Sequence, residues 1–383
     1  MIPFDLYSPT TRQALANDGR HALVAGSERW PVVEGIPYLR VGRESLVETV
    51  LAALDAGRDE DALLFLLADG DHAAARDTRR LREIVDRRHD LTLHEAVALF
   101  DYGPFGDFLL HRWSDPSFLA GLALLEAHWN APKCIFELAC GLGPYLREVQ
   151  LRGYRVAGGD IDFTLLWLAR HWVLGKRAEL ICFDATAHWP IVGAPVDLVM
   201  CHDAFHRLGA QPDILQSMRG LAGEDGWLAV SHIVQREQAA APDEACVTVD
   251  EIDELFPDAF IYDDAELVHA LVEARAPVPR AAADLRDATS VSVVFGPGMR
   301  PAPRALRNGL TLPVEAARLT RNPLYVPYGD GWTIHWPSNQ YRAAVAGLAT
   351  YPVRSQAPDH AVMSPSVEDL ARRRELVALP ERW

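Results

Sequence analysis

Short apolar runs alternate with helix-like stretches through the middle of the chain. Six of these runs have the length of buried strands, and most are bounded by turn-forming residues. The predicted strands are 133–138, 154–160, 178–183, 196–201, 226–233 and 289–296. Such alternation is typical of βαβ units, so residues 131–296 are predicted to form an α/β core with a largely parallel sheet.

Three other zones flank this core. Residues 1–42, the N-terminal module, carry the strand-like runs "HALVAG" and "RWPVVEGIPYLR" around Gly and Pro turns, which predicts a small β unit. Residues 43–130, the lid region, show helical spacing, and Asp115 followed by Pro116 is a good helix start. Residues 297–383, the C-terminal extension, are rich in Pro and Arg and contain the hairpin-like stretch "PLYVPYGDGWTIHWPS".

Composition narrows the class of partner. The 383 residues carry a formal net charge of −16 with no long Lys/Arg block, which argues against nucleic acid as the main partner. Five cysteines without a CxxC pair are typical of free thiols in a reducing cytosol. The sequence shows no signal-peptide pattern and no run of the about 18 apolar residues that a membrane span needs. A cytoplasmic protein without membrane contact is therefore expected.

The segment after the first strand opens a tight turn. In "FELACGLGPYLREV", Glu137 precedes Gly141 and Gly143, whose backbone can approach a ligand closely. Ligands of open α/β sheets bind at this edge, beyond the carboxyl ends of the strands. A dinucleotide fingerprint would need a third glycine where Leu146 stands, so recognition of a pyrophosphate is disfavoured.

Acidic residues also follow the second and third strands. Asp160 can accept two hydrogen bonds from a ribose diol, as either a dinucleotide or an adenosyl cofactor would require. Asp162 is expected to cap the next helix. Asp184 can accept from an adenine amine while Phe183 packs on the ring, although an acid in this place is often a surface loop residue.

Taken in order, these segments resemble the motifs of class I S-adenosylmethionine-dependent methyltransferases. "VDLVMCHDAFHRL" and "LAGEDGWLAVSHIV" continue the resemblance, which covers residues ~131–296. It implies a Rossmann-like seven-stranded sheet whose last strand is antiparallel. It also implies S-adenosylmethionine as the cofactor and S-adenosylhomocysteine as the product.

The resemblance further implies which residues contact the cofactor. Glu137 would lie near the methionine amino group, and Asp160 would hold the ribose with Ile161 against the adenine. The full implied set is Glu137, Ala139, Gly141, Gly143, Asp160, Ile161, Phe183, Asp184, Cys201 and His202. Ala139 stands where the family usually has glycine, and its methyl group is expected to be a mild departure.

The N-terminal module resembles a second family, the small zinc-ribbon activator of tRNA and translation-factor methyltransferases. That protein begins CPxCxxxL and ends YPIxDGIPxL, whereas this chain begins with Ser8-Pro-Thr-Thr11 and has no cysteine within residues 1–133. Hydroxyls do not replace thiolates as zinc ligands. The module is therefore predicted to lack metal and to be held by packing. Its predicted role is to stabilise or orient the catalytic domain, and a direct role in substrate binding is the alternative.

Two histidines after the fourth strand are candidate bases. Methyl transfer needs an acceptor aimed at the sulfonium carbon, and it needs a base only if that acceptor is protonated at neutral pH. His206 is the first candidate and His202 the second, with structural packing of His206 as the alternative. Two imidazoles spaced HxxxH on a helix could bind zinc, but no third ligand is evident, so no metal is predicted.

Aromatic residues upstream of the core form a candidate substrate wall. In "FDYGPFGDFLLHRWSDP", Arg112 could meet a carboxylate of the cofactor or substrate; an aromatic core with a salt bridge is the alternative. The aromatic residues of the C-terminal extension are expected to cover the sheet. They are Tyr325, Tyr328, Trp332, Trp336 and Tyr341.

The leading hypothesis is a methyltransferase of class EC 2.1.1 that acts on oxygen or nitrogen of a small organic metabolite. The alternative is a non-catalytic cofactor-binding or scaffold protein with the same fold. A nicotinamide-dependent dehydrogenase is disfavoured by Leu146 and by the acid Glu137 ahead of the turn. The sequence leaves the acceptor and the oligomeric state open, a homodimer included.

Overall fold

The N-terminal module contains five short strands. The structure is a computed structural model that describes residues 4–70, 77–193, 196–236, 238, 246–307 and 309–383, so each predicted zone contains at least one residue outside the described set. The first strands are β1 (Phe4–Leu6), β2 (Ala16–Asn17), β3 (Ala22–Ala25), β4 (Glu28–Val33) and β5 (Ile36–Pro37). Strands β2 to β5 form one sheet in that order.

A carboxylate organises the loop that contains Ser8 and Thr11. The hydroxyls of Ser8, Thr10 and Thr11 all donate to the carboxylate of Glu28, at 2.5, 2.6 and 2.9 Å. Ser8 and Thr11 occupy the two cysteine positions of the CPxC pattern. Polar hydrogen bonds therefore hold this loop in addition to the packing that the sequence led us to expect.

Helices follow in the lid region. They are α1 (Glu44–Asp55), α2 (Asp59–Ala68), α3 (Thr78–Arg87), α4 (Leu93–Phe100), α5 (Phe105–His111) and α6 (Pro116–His128). Asp115 caps α6 by accepting from Ser117 N at 3.0 Å, as predicted. Every residue of α6 is buried, because this helix packs against the central sheet.

A seven-stranded sheet forms the core, as predicted. Its strands are β6 (Cys134–Leu138), β7 (Arg155–Asp160), β8 (Glu179–Cys182), β10 (Leu198–His202), β11 (Trp227–Val234), β12 (Phe260–Asp263) and β13 (Ser290–Phe295). The short β9 (Ile191–Gly193) pairs with β1 instead. The helices of this region are α7 (Pro144–Gln150), α8 (Phe163–Leu168), α9 (Gln211–Ala222), α10 (Val249–Leu255) and α11 (Asp264–Val272).

The strand order is β12-β13-β11-β10-β6-β7-β8, and β13 is antiparallel to both of its neighbours. The Rossmann-like α/β prediction is thus confirmed. All six predicted strands form within two residues of their expected ends. The seventh, β12, has four residues and runs directly into α11, so it lacks the length and the flanking turn that a sequence pattern needs.

The N-terminal module docks on the β8 edge of the central sheet. Leu39 N donates to Cys182 O at 2.7 Å, and Tyr38 forms a parallel bridge with the same cysteine. The pairing of β1 with β9 adds a second attachment. The module therefore covers an edge strand that would otherwise expose unpaired backbone groups.

The C-terminal extension adds two small sheets. Its elements are β14 (Arg318–Arg321), β15 (Tyr325–Tyr328), β16 (Gly331–Ile334), α12 (Asn339–Val345), β17 (Arg354–Ser355), β18 (His360–Val362), α13 (Glu368–Arg372) and β19 (Leu376–Val377). One sheet has the order β18-β14-β19 and the other β15-β16-β17.

The aromatic residues of the extension do not cover the central sheet, so that expectation was wrong. Tyr341 is fully buried, and its ring lies 5.0 Å from Phe108 and 5.6 Å from His111, both on α5. Trp336 packs on Tyr341, and the Trp332 ring lies under the guanidinium of Arg321. Tyr325 packs in the same region, where its hydroxyl donates to Pro352 O at 2.6 Å, and Tyr328 is exposed. The extension covers the lid region because α5 presents the apolar surface nearest to it.

One buried carboxylate ties the extension to the core. Glu126 on α6 is 1% exposed and accepts from Gly309 N, Thr311 N and Thr311 Oγ1 at 3.0, 2.8 and 2.6 Å. Hydrogen bonds to a charged group in such a dry place are strong.

The zone boundaries at residues 42, 130 and 296 stay a prediction. Within the described residues, no helix is long and apolar enough to cross a bilayer.

Replacing Glu126 with alanine is expected to lower the free energy of unfolding by about 3 kcal/mol, because three buried donors lose their acceptor. Urea unfolding would measure the loss. The control is Glu83→Ala on α3, which removes an exposed carboxylate paired with Arg87 and should cost less than about 1 kcal/mol. Similar losses in the two variants would contradict the role assigned to Glu126.

Candidate functional site

The turn after β6 has an open, strained backbone. Ala139, Gly141 and Gly143 all have positive φ, at 53°, 51° and 70°. A Cβ built on Gly141 would meet no atom within 4 Å, so there is room for a ligand above this residue. Ala139 holds the left-handed conformation with a methyl group, at a cost of about 1–2 kcal/mol. Its replacement of glycine is therefore less mild than the sequence led us to expect.

Asp160, at the end of β7, joins two turns. Its Oδ2 accepts from Gly141 N at 2.8 Å and its Oδ1 accepts from Asp162 N at 2.9 Å. A carboxylate offers about four acceptor positions, so accepting from these two amides does not conflict with the predicted ribose contact. Asp162 caps α8 by accepting from Thr164 N at 2.8 Å, which confirms its predicted role.

Glu137, on β6, is a buried acid that lacks a hydrogen-bond donor at one of its carboxyl oxygens within the described part of the chain. Its side chain is 2% exposed, and Oε2 has no hydrogen-bond partner among the described residues. Burial raises the pKa of Glu137 well above its usual range, and the nearby Arg112 guanidinium opposes that shift. An ammonium group of a ligand would supply both the missing donor and the missing charge.

Arg112 lies in a 3-10 turn, Arg112–Ser114, that crosses the strand ends. Its guanidinium pairs with the carboxylate of Asp203 and donates to Ser117 Oγ at 3.0 Å. The Ser114 hydroxyl donates to Asn322 Oδ1 at 2.9 Å, so the C-terminal extension fixes the turn. The structure thus brings Arg112 near Glu137, although a protein carboxylate already occupies part of its guanidinium.

His202 is buried at the end of β10. It is 3% exposed, its Nδ1 lies 2.6 Å from Ser231 Oγ, and its ring stacks on Tyr145 at 3.9 Å between centroids. Burial and then the charge of Arg112 lower the pKa of His202 to about 3. So weak a base cannot take a proton efficiently near neutral pH. This finding argues against the predicted catalytic role of His202. We interpret His202 as a residue that lines the site.

His206 lies in a 3-10 turn, Phe205–Arg207, and is 5% exposed. Its Nε2 accepts from Arg207 Nε at 3.3 Å. The alternative of structural packing describes this environment better than catalysis does. His202 is on a strand and His206 in a turn, so the idea of two imidazoles on one helix face is wrong.

The predicted adenine contacts have mixed surroundings. Phe183 is 2% exposed and packs on Trp189 with 5.6 Å between ring centroids, which places it in the core. The Oδ1 of Asp184 accepts from Thr186 N and Oγ1 at 2.8 and 2.7 Å, so this acid also stabilises a turn. Ile161 is half-buried, and Cys201 is fully buried within β10. Their roles toward a cofactor stay predictions.

The aromatic segment before the core is mostly interior. Tyr102 and Trp113 are buried, and the C-terminal extension covers Phe108 and His111 through Tyr341. Phe105 packs on Tyr102 at 6.0 Å. The alternative of an aromatic core with a salt bridge therefore fits this segment better than an open substrate wall.

Three polar residues at the site escaped the sequence analysis. Asp203 follows β10, His232 lies in β11, and Asp264 is the first residue of α11. The His232 imidazole lies 2.8 Å from Asp264 Oδ2 and 3.9 Å from Asp203 Oδ1. The polar Ser-His pair inside the apolar run "WLAVSHIV" was a usable signal. Asp264 gave no comparable signal, because an acid at a helix start usually serves as a cap.

Comparison with known families gives one match, to a family model described as a methyltransferase domain, over residues 136–230. This segment runs from β6 into β11 and contains the turn, Asp160 and Asp203. The expectation of S-adenosylmethionine as cofactor agrees with that match. No curated protein gives a significant sequence match.

Solved structures of methyltransferases resemble the chain more remotely. The TehB-like SAM-dependent methyltransferase of Corynebacterium glutamicum is 15% identical over 46% of this chain and 86% of its own, with a TM-score of 0.35. The plantazolicin methyltransferase BpumL, in complex with a triazolic desmethylPZN analog and SAH, is 14% identical over 56% and 97%, with a TM-score of 0.36. A chain of a complex with the Haloferax volcanii Trm112 methyltransferase activator is 16% identical over 52% and 92%, with a TM-score of 0.37. At such scores these likenesses say nothing about substrate.

Replacing Glu137 with glutamine is expected to stabilise the protein at pH 8 and to change its stability little near pH 4. Because the folded pKa of Glu137 lies above the usual 4.5, the native state keeps a proton that the unfolded state releases. Stability therefore falls as pH rises from about 4.5 to the raised pKa, by about 1.4 kcal/mol for each pH unit between these two values. Thermal unfolding at both pH values measures the effect. Glu48→Gln, at an exposed position of α1, is the control, and a Glu137→Gln variant equally destabilised at both pH values would contradict the pKa assignment.

Proposed function

We propose that this chain is an S-adenosylmethionine-dependent methyltransferase whose acceptor is an oxygen or nitrogen atom of a small organic molecule. One observation carries the proposal. The buried Glu137 Oε2 has no partner among the described residues, and the turn that follows β6 is open at Gly141. Both residues fall within the segment that matches a methyltransferase domain.

The residues at the strand ends fit the groups of this cofactor. Glu137 would accept from the methionine ammonium, Asp160 from the ribose hydroxyls, and Arg112 would share its charge with the methionine carboxylate. When bound, the cofactor supplies a methyl group activated by a sulfonium. The backbone at Gly141 leaves the space that the amino-acid part of the cofactor needs.

The surrounding side chains would exclude water and orient the cofactor. The stacked rings of Tyr145 and His202 are both buried, and Ser231 supports them from β11. A dry site strengthens every charge interaction within it. Because the His202 pKa is about 3, this wall stays neutral near pH 7 and does not repel the sulfonium.

The N-terminal module would act as a built-in counterpart of the zinc-ribbon activator that it resembles. Its attachment at the β8 edge, through Leu39 and Cys182, supports a stabilising role. Glu28 and three hydroxyls take the place of a zinc centre in holding its first loop. The net charge of −16 supports a small acceptor over a nucleic acid.

Calorimetry with S-adenosylhomocysteine is expected to give micromolar binding for the wild type. Glu137→Gln should weaken it by about tenfold or more, since an ion pair becomes a neutral hydrogen bond. Glu48→Gln on α1 should bind like the wild type. No binding by a folded wild type would contradict the proposal, and binding without methyl transfer to any acceptor would favour the scaffold alternative.

The same binding is expected to weaken as pH falls. Below the raised pKa of Glu137, the carboxyl must lose its proton before it can form an ion pair with the ammonium, so affinity should drop by up to about tenfold per pH unit. Titrations in two buffers of different ionisation enthalpy would detect the released proton. Glu137→Gln should lose this pH dependence, and an unchanged dependence in that variant would assign it to another group.

A further inference from the structure

The strand β11 ends in a bulge that redirects one side chain. Its pairing with β13 shifts register between Val230 and Ile233, and His232 within the bulge has a φ of 55°. A left-handed histidine costs about 1–3 kcal/mol, and such strain clusters at functional sites. The bulge brings the imidazole to the carboxyl end of the sheet, where the proposed cofactor site lies.

A fully buried carboxylate fixes the orientation of this imidazole. Asp264 is 0% exposed, and its Oδ2 lies 2.8 Å from His232 Nδ1. The hydroxyls of Ser290 and Ser292 donate to the same carboxylate at 2.6 and 2.5 Å. An ionised carboxylate only accepts, so Nδ1 carries the proton and the Nε2 lone pair is left as the basic site.

The Nε2 atom lies near Asp203, which follows β10, and makes no hydrogen bond among the described residues. It lies 3.9 Å from Asp203 Oδ1, which is too long for a hydrogen bond, and the His232 side chain is 19% exposed. The charged or titratable groups that face His232 are Asp264 on α11, Asp203 after β10 and the His206 ring at 6.3 Å. Arg112 offsets the charge of Asp203.

We propose that His232 is the general base of the methyl transfer and that the acceptor is a hydroxyl group, phenolic or alcoholic. This inference rests on the proposed function and deepens it. A hydroxyl needs a base near neutral pH, and an imidazole oriented by a carboxylate is well suited to that task.

In the reaction, the acceptor oxygen forms a bond to the methyl carbon while the bond from that carbon to the sulfonium sulfur breaks. The sulfur keeps the electron pair of the broken bond, and the acceptor proton passes to His232 Nε2. The imidazolium that forms lies between Asp264 and Asp203, and both carboxylates stabilise its charge. His232 is thus the catalytic residue, and Asp264 is a positioning residue that acts through it.

The first test needs no acceptor. Nitrogen-15 spectra of histidine-labelled protein should show His232 with its proton on Nδ1, and Asp264→Asn should change this tautomer. Asp264→Glu should restore it in part. A His232 that carries its proton on Nε2, or that keeps the same tautomer in Asp264→Asn, would overturn the proposal.

The second test measures transfer of a labelled methyl group from S-adenosylmethionine to phenol, 4-nitrophenol, catechol and benzyl alcohol. His232→Ala should lower the rate by about 100-fold or more, with unchanged affinity for S-adenosylhomocysteine. The loss should be smaller for 4-nitrophenol, which is largely ionised at pH 8. His269→Ala, at an exposed position on α11, should leave the rate unchanged.

The outcomes distinguish a failure of the proposed function from a failure of the acceptor class or of the assigned base. Failure of the folded wild type to bind S-adenosylhomocysteine would remove the proposed function. Binding without transfer to any of the four hydroxyl probes would overturn the acceptor class, and transfer that His232→Ala leaves intact would overturn the assignment of the base.

Discussion

The carboxylate of Asp160 is the constraint on which the candidate site depends. It accepts from Gly141 N after β6 and from Asp162 N after β7, so two neighbouring strand ends are held by one buried group. Left-handed conformations at Ala139, Gly141 and Gly143 accompany this connection, in which the turn brings the Gly141 amide back toward β7. The open space above Gly141 belongs to the same turn.

Elements from both ends of the chain then enclose the strand ends. The N-terminal module pairs with the β8 edge, and the C-terminal extension is anchored at Glu126 and reaches Ser114 through Asn322. The second contact sets the position of the 3-10 turn that carries Arg112. Arg112 is therefore held through distant chain segments, by the turn that Asn322 contacts and by its own pairing with Asp203.

Burial and charge give the polar residues of the site different properties. Glu137 has a raised pKa because it is desolvated, whereas His202 is kept neutral by burial and by the nearby Arg112. His232 is partly exposed and is paired with a buried carboxylate, whereas His202 is buried and contacts a hydroxyl. Residues of one type, close together in the fold, thus differ in chemistry because their surroundings differ.

The sequence by itself determined the α/β class, six of the seven strands and the acids after the first three strands. The period of the apolar positions and the spacing of the motifs are local properties of the sequence. The carboxyl ends of parallel strands lie at one edge of the sheet because of the topology alone. Only the tertiary structure decided that β12 joins the sheet, that the aromatic residues of the C-terminal extension cover α5, and that a buried carboxylate orients the His232 imidazole. These outcomes depend on burial and on contacts between residues far apart in the chain. A bulge in β11 and a carboxylate at the start of α11 become partners only after the sheet has formed.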